Sequence, residues 1–186
     1  MRLVIGISGA SGVVMGYYLL QALCEAKVET HLVVTEAAAK TLVCETSLRL
    51  KDLTALAGVS YDCRDMAARI ASGSFPADGM VVIPCSMKTL AGIVSGYADN
   101  LLLRAADVCL KEGRKLVLVP RETPLSVVHL RNLKEAAEAG CAIVPPMLTF
   151  YGGADTVEKQ IDHIVGKIFS RFGLSYKNRT SWDGIS

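Results

Sequence analysis

The stretch Arg2-Leu3-Val4-Ile5-Gly6-Ile7-Ser8-Gly9-Ala10-Ser11-Gly12 decides the fold class. Its apolar run is too short for a helix and rich in β-branched side chains, which reads as a strand buried on both faces. The run ends in glycines and hydroxyls, and helical periodicity then takes over at 13–26 through Val14, Tyr17, Tyr18, Leu20 and Leu23. Strand followed by glycine turn followed by helix is the first half of a βαβ unit. The pattern repeats outward, with strand runs near 29–35, 79–84, 115–120 and 141–144 and helical periods over 36–45, 88–96, 100–112, 126–139 and 156–172. Right-handed crossovers turn such a series into an α/β fold, a doubly wound parallel sheet with helices on both faces. Residues 46–78 mix short helical patches with Gly58 and the turn Ser72-Gly73-Ser74-Phe75-Pro76, and they are expected near a ligand or a subunit interface.

The 186 residues are 51% hydrophobic, enough for one substantial core, so 1–186 reads as one domain. A net charge of +2 without a long basic run argues against a nucleic-acid partner. Every apolar run falls short of the roughly 20 residues a membrane helix needs, which argues against a membrane protein. Met1 leads straight into the first strand with no secretory leader pattern, so a cytoplasmic location is expected. Cys24, Cys44, Cys63, Cys85, Cys109 and Cys141 are widely spaced without a C-x-x-C pair, and they read as buried, reduced thiols. The polar tail at about 174–186, with Trp182, is expected to dock on a neighbouring subunit or to fray.

Chemistry belongs at the carboxyl ends of the strands. The Gly6–Gly12 turn offers hydroxyls and helix N–H groups, an anion site, although glycines that only tighten the turn would look the same. It lacks the dinucleotide fingerprint and the phosphate-loop lysine. Thr35 ends the second strand, and Glu36 beside it leaves ribose recognition as a lesser reading. The strand at 79–84 runs into Cys85-Ser86-Met87-Lys88-Thr89, a second hydroxyl-bearing helix start that should converge with the first. Cys85 follows a buried-looking strand with no histidine nearby, which disfavours a nucleophile. His31 and His163 read as packing or surface residues, while His129 at a helix start could meet something polar. Arg104 and Lys111 share a helix face, and Arg121 with Glu122 follows the next strand, where an arginine suits a phosphate.

Taken together, GISGASG (6–12), PCSMKTLAGI (84–93), ADNLLLRAADVCLKEGRKLVLVPRETPL (98–125), HLRNL (129–133) and PPMLTFY (145–151) resemble the flavin prenyltransferases. This UbiX group also carries the older names of aromatic-acid and hydroxyarylic-acid decarboxylase. The resemblance spans nearly the whole chain. It implies a flavodoxin-like Rossmann fold and transfer of a dimethylallyl group from dimethylallyl phosphate to reduced FMN. The transfer forms bonds at N5 and C6, and a partner UbiD-type aromatic-acid decarboxylase uses the prenylated FMN. It further implies a homo-oligomer, with a dodecamer expected, and metal-independent catalysis.

Carried over residue by residue, the resemblance implies FMN contacts from Gly9, Ala10, Ser11, Thr35, Ser86, Met87, Lys88, Thr89 and Arg121. Ser11 would also assist proton handling near N5, and Glu45 would act as acid/base for the second bond. Arg104, Lys111 and Glu122 would build the prenyl-phosphate end, gripped also by Tyr151 and Lys167, with some groups supplied by a neighbouring subunit. Lys167 stands where relatives commonly have arginine, and Gly152-Gly153-Ala154 replaces a proline-containing loop. Two other readings compete: an FMN-dependent cysteine-type decarboxylase, and a non-catalytic FMN carrier.

Overall fold

A computed structural model describes residues 1–150 and 153–178. The opening stretch forms β1 (Arg2–Ile7) and leads into α1 (Val14–Glu25), β2 (Glu29–Val34), α2 (Glu36–Glu45), α3 (Leu50–Thr54) and β3 (Val59–Tyr61). After a single 3₁₀ turn at Arg69–Ala71 come β4 (Gly79–Cys85), α4 (Met87–Ser95), α5 (Leu101–Lys111) and β5 (Lys115–Pro120). The chain continues through α6 (Val127–Glu138), β6 (Ala142–Ile143) and α7 (Val157–Arg171). Every strand and helix expected from periodicity is present. The unassigned stretch 46–78 holds α3 and β3, too short to leave a period of their own.

The sheet is parallel throughout, in the order β3-β2-β1-β4-β5-β6. The chain builds outward from β1 through β2 to β3, then crosses back to place β4 on the other side of β1. Leu3 is thus paired with Thr30 on one side and Gly79 on the other. That reversal opens a crevice above the carboxyl ends of β1 and β4, where ligands of such sheets bind. The β4–β5 register shifts between Val82 and Cys85, where Pro84 can donate no ladder bond.

Alternation within each strand sends residues to two cores. Leu3, Ile5 and Ile7 of β1 pack with α1, α2 and α7, whereas Val4, with Met80 and Val82 of β4, packs with α4 and α5. Leu19, Leu20 and Leu23 of α1 are fully buried. Truncating one of them, as in Leu20→Ala, would cost about 2–5 kcal/mol. The placement of helices matters for function, because α5 and α7 lie on opposite faces of the sheet.

The described part of the tail folds back on its own chain. Tyr176 donates to Asp162 of α7 at 2.5 Å, and the Lys177 ammonium meets Glu25 at the end of α1 at 2.6 Å. Burial, then the hydrogen bond to Asp162, pushes the Tyr176 phenol up. Residues 176–178 thus have partners within their own chain, and Trp182 lies outside the described residues.

Candidate functional site

The loop after β1 is laid along α2. A side chain at Gly9 would bring its Cβ within 2.4 Å of the Ala37 Cβ, so only glycine lets the loop approach the first turn of that helix. Three residues on, Gly12 has φ +90°. Its N–H donates to the Glu45 carboxylate, 2.8 Å away at the last turn of the same helix. Ala37 and Glu45 are eight residues apart, roughly 12 Å of helix. The loop therefore runs from the electropositive start of α2 to an exposed carboxylate at its end, with Ala10 half-buried and Ser11 exposed between them.

Ser8 joins this loop to the one after β4. Its buried hydroxyl donates to the Pro84 carbonyl at 2.9 Å and accepts from the Ser86 N–H at 2.8 Å. Ser86 in turn caps α4, its Oγ accepting from Thr89 N at 3.2 Å and donating to Thr89 Oγ1 at 3.0 Å. Thr35 caps α2 by accepting from Ala38 N at 3.2 Å. Capping thus uses Ser86 as both donor and acceptor but Thr35 only as an acceptor. The two capped helix starts face one cleft of about 630 Å³, whose walls include Gly9, Thr35, Ser86, Lys88, Thr89 and Asn100. Its outer lip carries Glu36, held by Lys40 at 2.8 Å and Arg64 at 3.3 Å. Lys40 first, and Arg64 after it, keep the Glu36 carboxyl below its usual range. A smaller, mostly apolar pocket of about 260 Å³ adjoins the other side of α4, between Met87, Arg121, Glu122, Leu125, Leu133 and Pro145.

The family model described as Flavoprotein matches residues 1–173. A probable UbiX-like flavin prenyltransferase of Sedimentibacter hydroxybenzoicus is 58% identical over 99% of this chain and 98% of its own length. The chain belongs to the UbiX-like flavin prenyltransferases. The solved structure of AnUbiX in complex with FMN and dimethylallyl pyrophosphate is 48% identical, with a TM-score of 0.97 over 100% of this chain and 98% of that one. A dodecameric FMN-dependent UbiX-like decarboxylase from Escherichia coli O157:H7 is 52% identical, with a TM-score of 0.97 over 99% of this chain and 100% of that one. The parallel sheet and these matches give the prenyltransferase its flavodoxin-like fold.

Of the residues singled out in the sequence, this prenyltransferase chain gathers Gly9, Thr35, Ser86, Lys88 and Thr89 around the larger cleft, and Met87, Arg121 and Glu122 around the smaller. Arg121 N donates to the Cys85 carbonyl at 3.2 Å, tying the end of β5 to the site. Among the described residues, the cations of the prenyl-phosphate set lie apart from one another. Arg104 donates to the Ala71 carbonyl at 3.0 Å and pairs with Asp107 at 2.6 Å, while Lys111 pairs with Glu112 at the far end of α5. Lys167 is exposed on α7, across the sheet, and Tyr151 lies outside the described residues.

The remaining nucleophile and base candidates are placed elsewhere. Cys85 is fully buried, and burial pushes its thiol up. Cys109 and Cys141 are buried too, their thiols raised to about 11, but Cys63 is half-buried and Cys24 and Cys44 are exposed, so a buried environment holds for only half the cysteines. His31 is buried between Tyr61 at 2.8 Å and Glu29 at 3.0 Å, and His129 pairs with Ser126 in the capping box of α6. Burial, and then Lys167, lowers His163.

Sequence reasoning missed Ser8 and Arg64. Ser8 directly follows the strand that pairs with β4, so a hydroxyl there was a readable signal for a tie between the two loops. Arg64 had none, because its place follows from the short β3 at the sheet edge.

Proposed function

We propose that the enzyme joins the dimethylallyl group of dimethylallyl phosphate to reduced FMN at N5 and C6, as a metal-independent alkyl transferase. The product, prenylated FMN, passes to a UbiD-type aromatic-acid decarboxylase. The observation that carries this reading is the loop laid along α2, which runs from a phosphate-friendly helix start on the cleft to a carboxylate at the other end of the same helix. A mononucleotide fits that polarity, and a cleft of about 630 Å³ is of ligand size.

Reduced FMN would supply N5 and C6 as the two nucleophilic positions. Gly9, Ala10, Thr35, Ser86, Lys88 and Thr89 hold its phosphate and ribityl end, where two helix starts point the same way. Met87 and Arg121 border its ring. Ser11 and Glu45 stand at the reacting end. Glu45, already fixed by Gly12, is suited to give a proton to C2′ of the N5-bound dimethylallyl alkene and to take the proton that leaves C6 as the second bond, from C6 to C3′, closes. As the first C–N bond forms and the C–O bond breaks, phosphate departs with the bonding pair. Arg104, Lys111, Tyr151 and Lys167, with Glu122 orienting the cations, stabilise the charge it carries away.

Because Lys167 on α7 lies across the sheet from Arg104 and Lys111 on α5, some of these cations reach the site from a neighbouring subunit. A homo-oligomer is therefore part of the proposal, and the dodecameric relative supports it. So do the apolar side chains exposed on α6 and the following loop, among them Val127, Met147 and Phe150, the last 92% exposed. Six free thiols suit a reducing cytoplasm. A cysteine-type decarboxylase would need a base in the cleft, and the histidines described above are engaged elsewhere. A bare carrier has no use for a cationic leaving-group site.

Phosphate release tests the reading. The enzyme should liberate inorganic phosphate from dimethylallyl phosphate only when reduced FMN is present. Release that is independent of flavin would contradict it, and a parallel run with the pyrophosphate identifies the preferred donor.

A further inference from the structure

The lip of the larger cleft has an arrangement that the flavin contacts leave unused. Glu36 sits in the first turn of α2 with Lys40 on one carboxylate oxygen and Arg64 on the other. The three side chains are 65–84% exposed, so the cluster adds little to folding stability. Arg64 arrives from the loop after β3, 28 positions from Glu36, and Asp62 Oδ1 fixes that loop by accepting from the Arg64 N–H at 2.9 Å. Both cations line the same cleft as Gly9, Thr35 and Ser86. This is the end of α2 at which the helix dipole favours an anion; the other end carries Glu45 and repels one.

We propose that Arg64 and Lys40 form a cationic lip that exchanges the Glu36 carboxylate for the 5′-phosphate of the flavin, making the site selective for a flavin phosphate over unphosphorylated flavin. The inference rests on the flavin reading above. Glu36 keeps the two cations aimed at the cleft before the ligand arrives, and the phosphate dianion then outcompetes a single carboxylate for them. No bond is made or broken in the exchange.

Fluorescence titration with FMN and with riboflavin separates the lip from a merely structural cluster. In the double variant Arg64→Gln, Lys40→Gln the FMN Kd should rise on the order of tenfold while the riboflavin Kd stays within about twofold. The slope of log Kd for FMN against log ionic strength should also flatten. Glu36→Gln should tighten FMN binding and leave riboflavin binding unchanged. An unaltered FMN affinity in the double variant, an equal loss for both flavins, or weaker FMN binding by Glu36→Gln would each overturn the lip while leaving the flavin reading intact. A wild-type chain that binds neither flavin would overturn both.

Discussion

The backbone N–H of Gly12 donates to the Glu45 carboxylate across 2.8 Å, so the glycine loop and the last turn of α2 hold each other in place. Either residue alone is unremarkable in type. Their contact makes Glu45 a carboxylate fixed against the glycine loop rather than a mobile helix charge.

Glu45→Gln keeps an oxygen acceptor for Gly12 but cannot take a proton. FMN affinity should be retained, while closure of the second bond slows by on the order of 10²–10⁴-fold. Rapid-quench analysis of the flavin products checks this, and a wild-type rate of ring closure would remove Glu45 from the chemistry.

Ser8→Ala removes the link between the two loops and leaves the Ser86 N–H without its partner. The variant should lose about 1–3 kcal/mol of stability, and its flavin affinity should fall as α4 loses register with the β1 loop. Urea unfolding together with flavin titration reads both. Unchanged values in both measurements would make Ser8 dispensable.

Lys111→Ala should slow phosphate departure with FMN affinity nearly unchanged. If the site is shared between chains, co-assembling Lys111→Ala subunits with Glu45→Gln subunits should restore part of the activity, because some sites then receive both intact groups. Failure of mixed oligomers to regain any activity would place Lys111 and Glu45 in the same site of the same chain. Lys167→Arg tests the same proposed pocket. Arginine should preserve or improve use of dimethylallyl phosphate, and loss of activity would mean that the Gly152-Gly153 loop has reshaped the space.

At the amino edge of the sheet, hydrogen bonds from Arg2 and then from His31 lower the Glu29 carboxyl to about 2. An unfolded glutamate titrates near 4.3. The contribution of Glu29 to stability is therefore complete above that value and is lost as pH falls toward about 2. The stability gap between wild type and Glu29→Gln should be open at neutral pH and close across this acidic window. A gap independent of pH would show that Glu29 acts through packing alone.

Much of this architecture was legible in the chain because it is written in long repeats. The runs at 2–7, 79–84 and 115–120 could be nothing but buried strands, and the loop motifs after them marked both walls of the cleft. What escaped was short or non-local. The three residues of β3 leave no period, so Arg64 could not be placed at the cleft. The hydroxyls of Thr35 and Ser86 read as ligand contacts, but spacing alone does not tell a cap from a contact, and both serve as caps. Arg104 and Lys111 share a helix face as their spacing implied. That Lys167 lies across the sheet from them depends on which face each helix covers, a property of the whole topology.

The most direct measurement of the central claim is the mass of the flavin recovered after anaerobic incubation of the enzyme with reduced FMN and dimethylallyl phosphate. Prenyl transfer predicts a flavin heavier by one dimethylallyl unit, formed without any partner protein and without release of carbon dioxide from added aromatic acids. Recovery of unmodified FMN from a folded, flavin-loaded enzyme, or decarboxylation by this chain alone, would contradict the account.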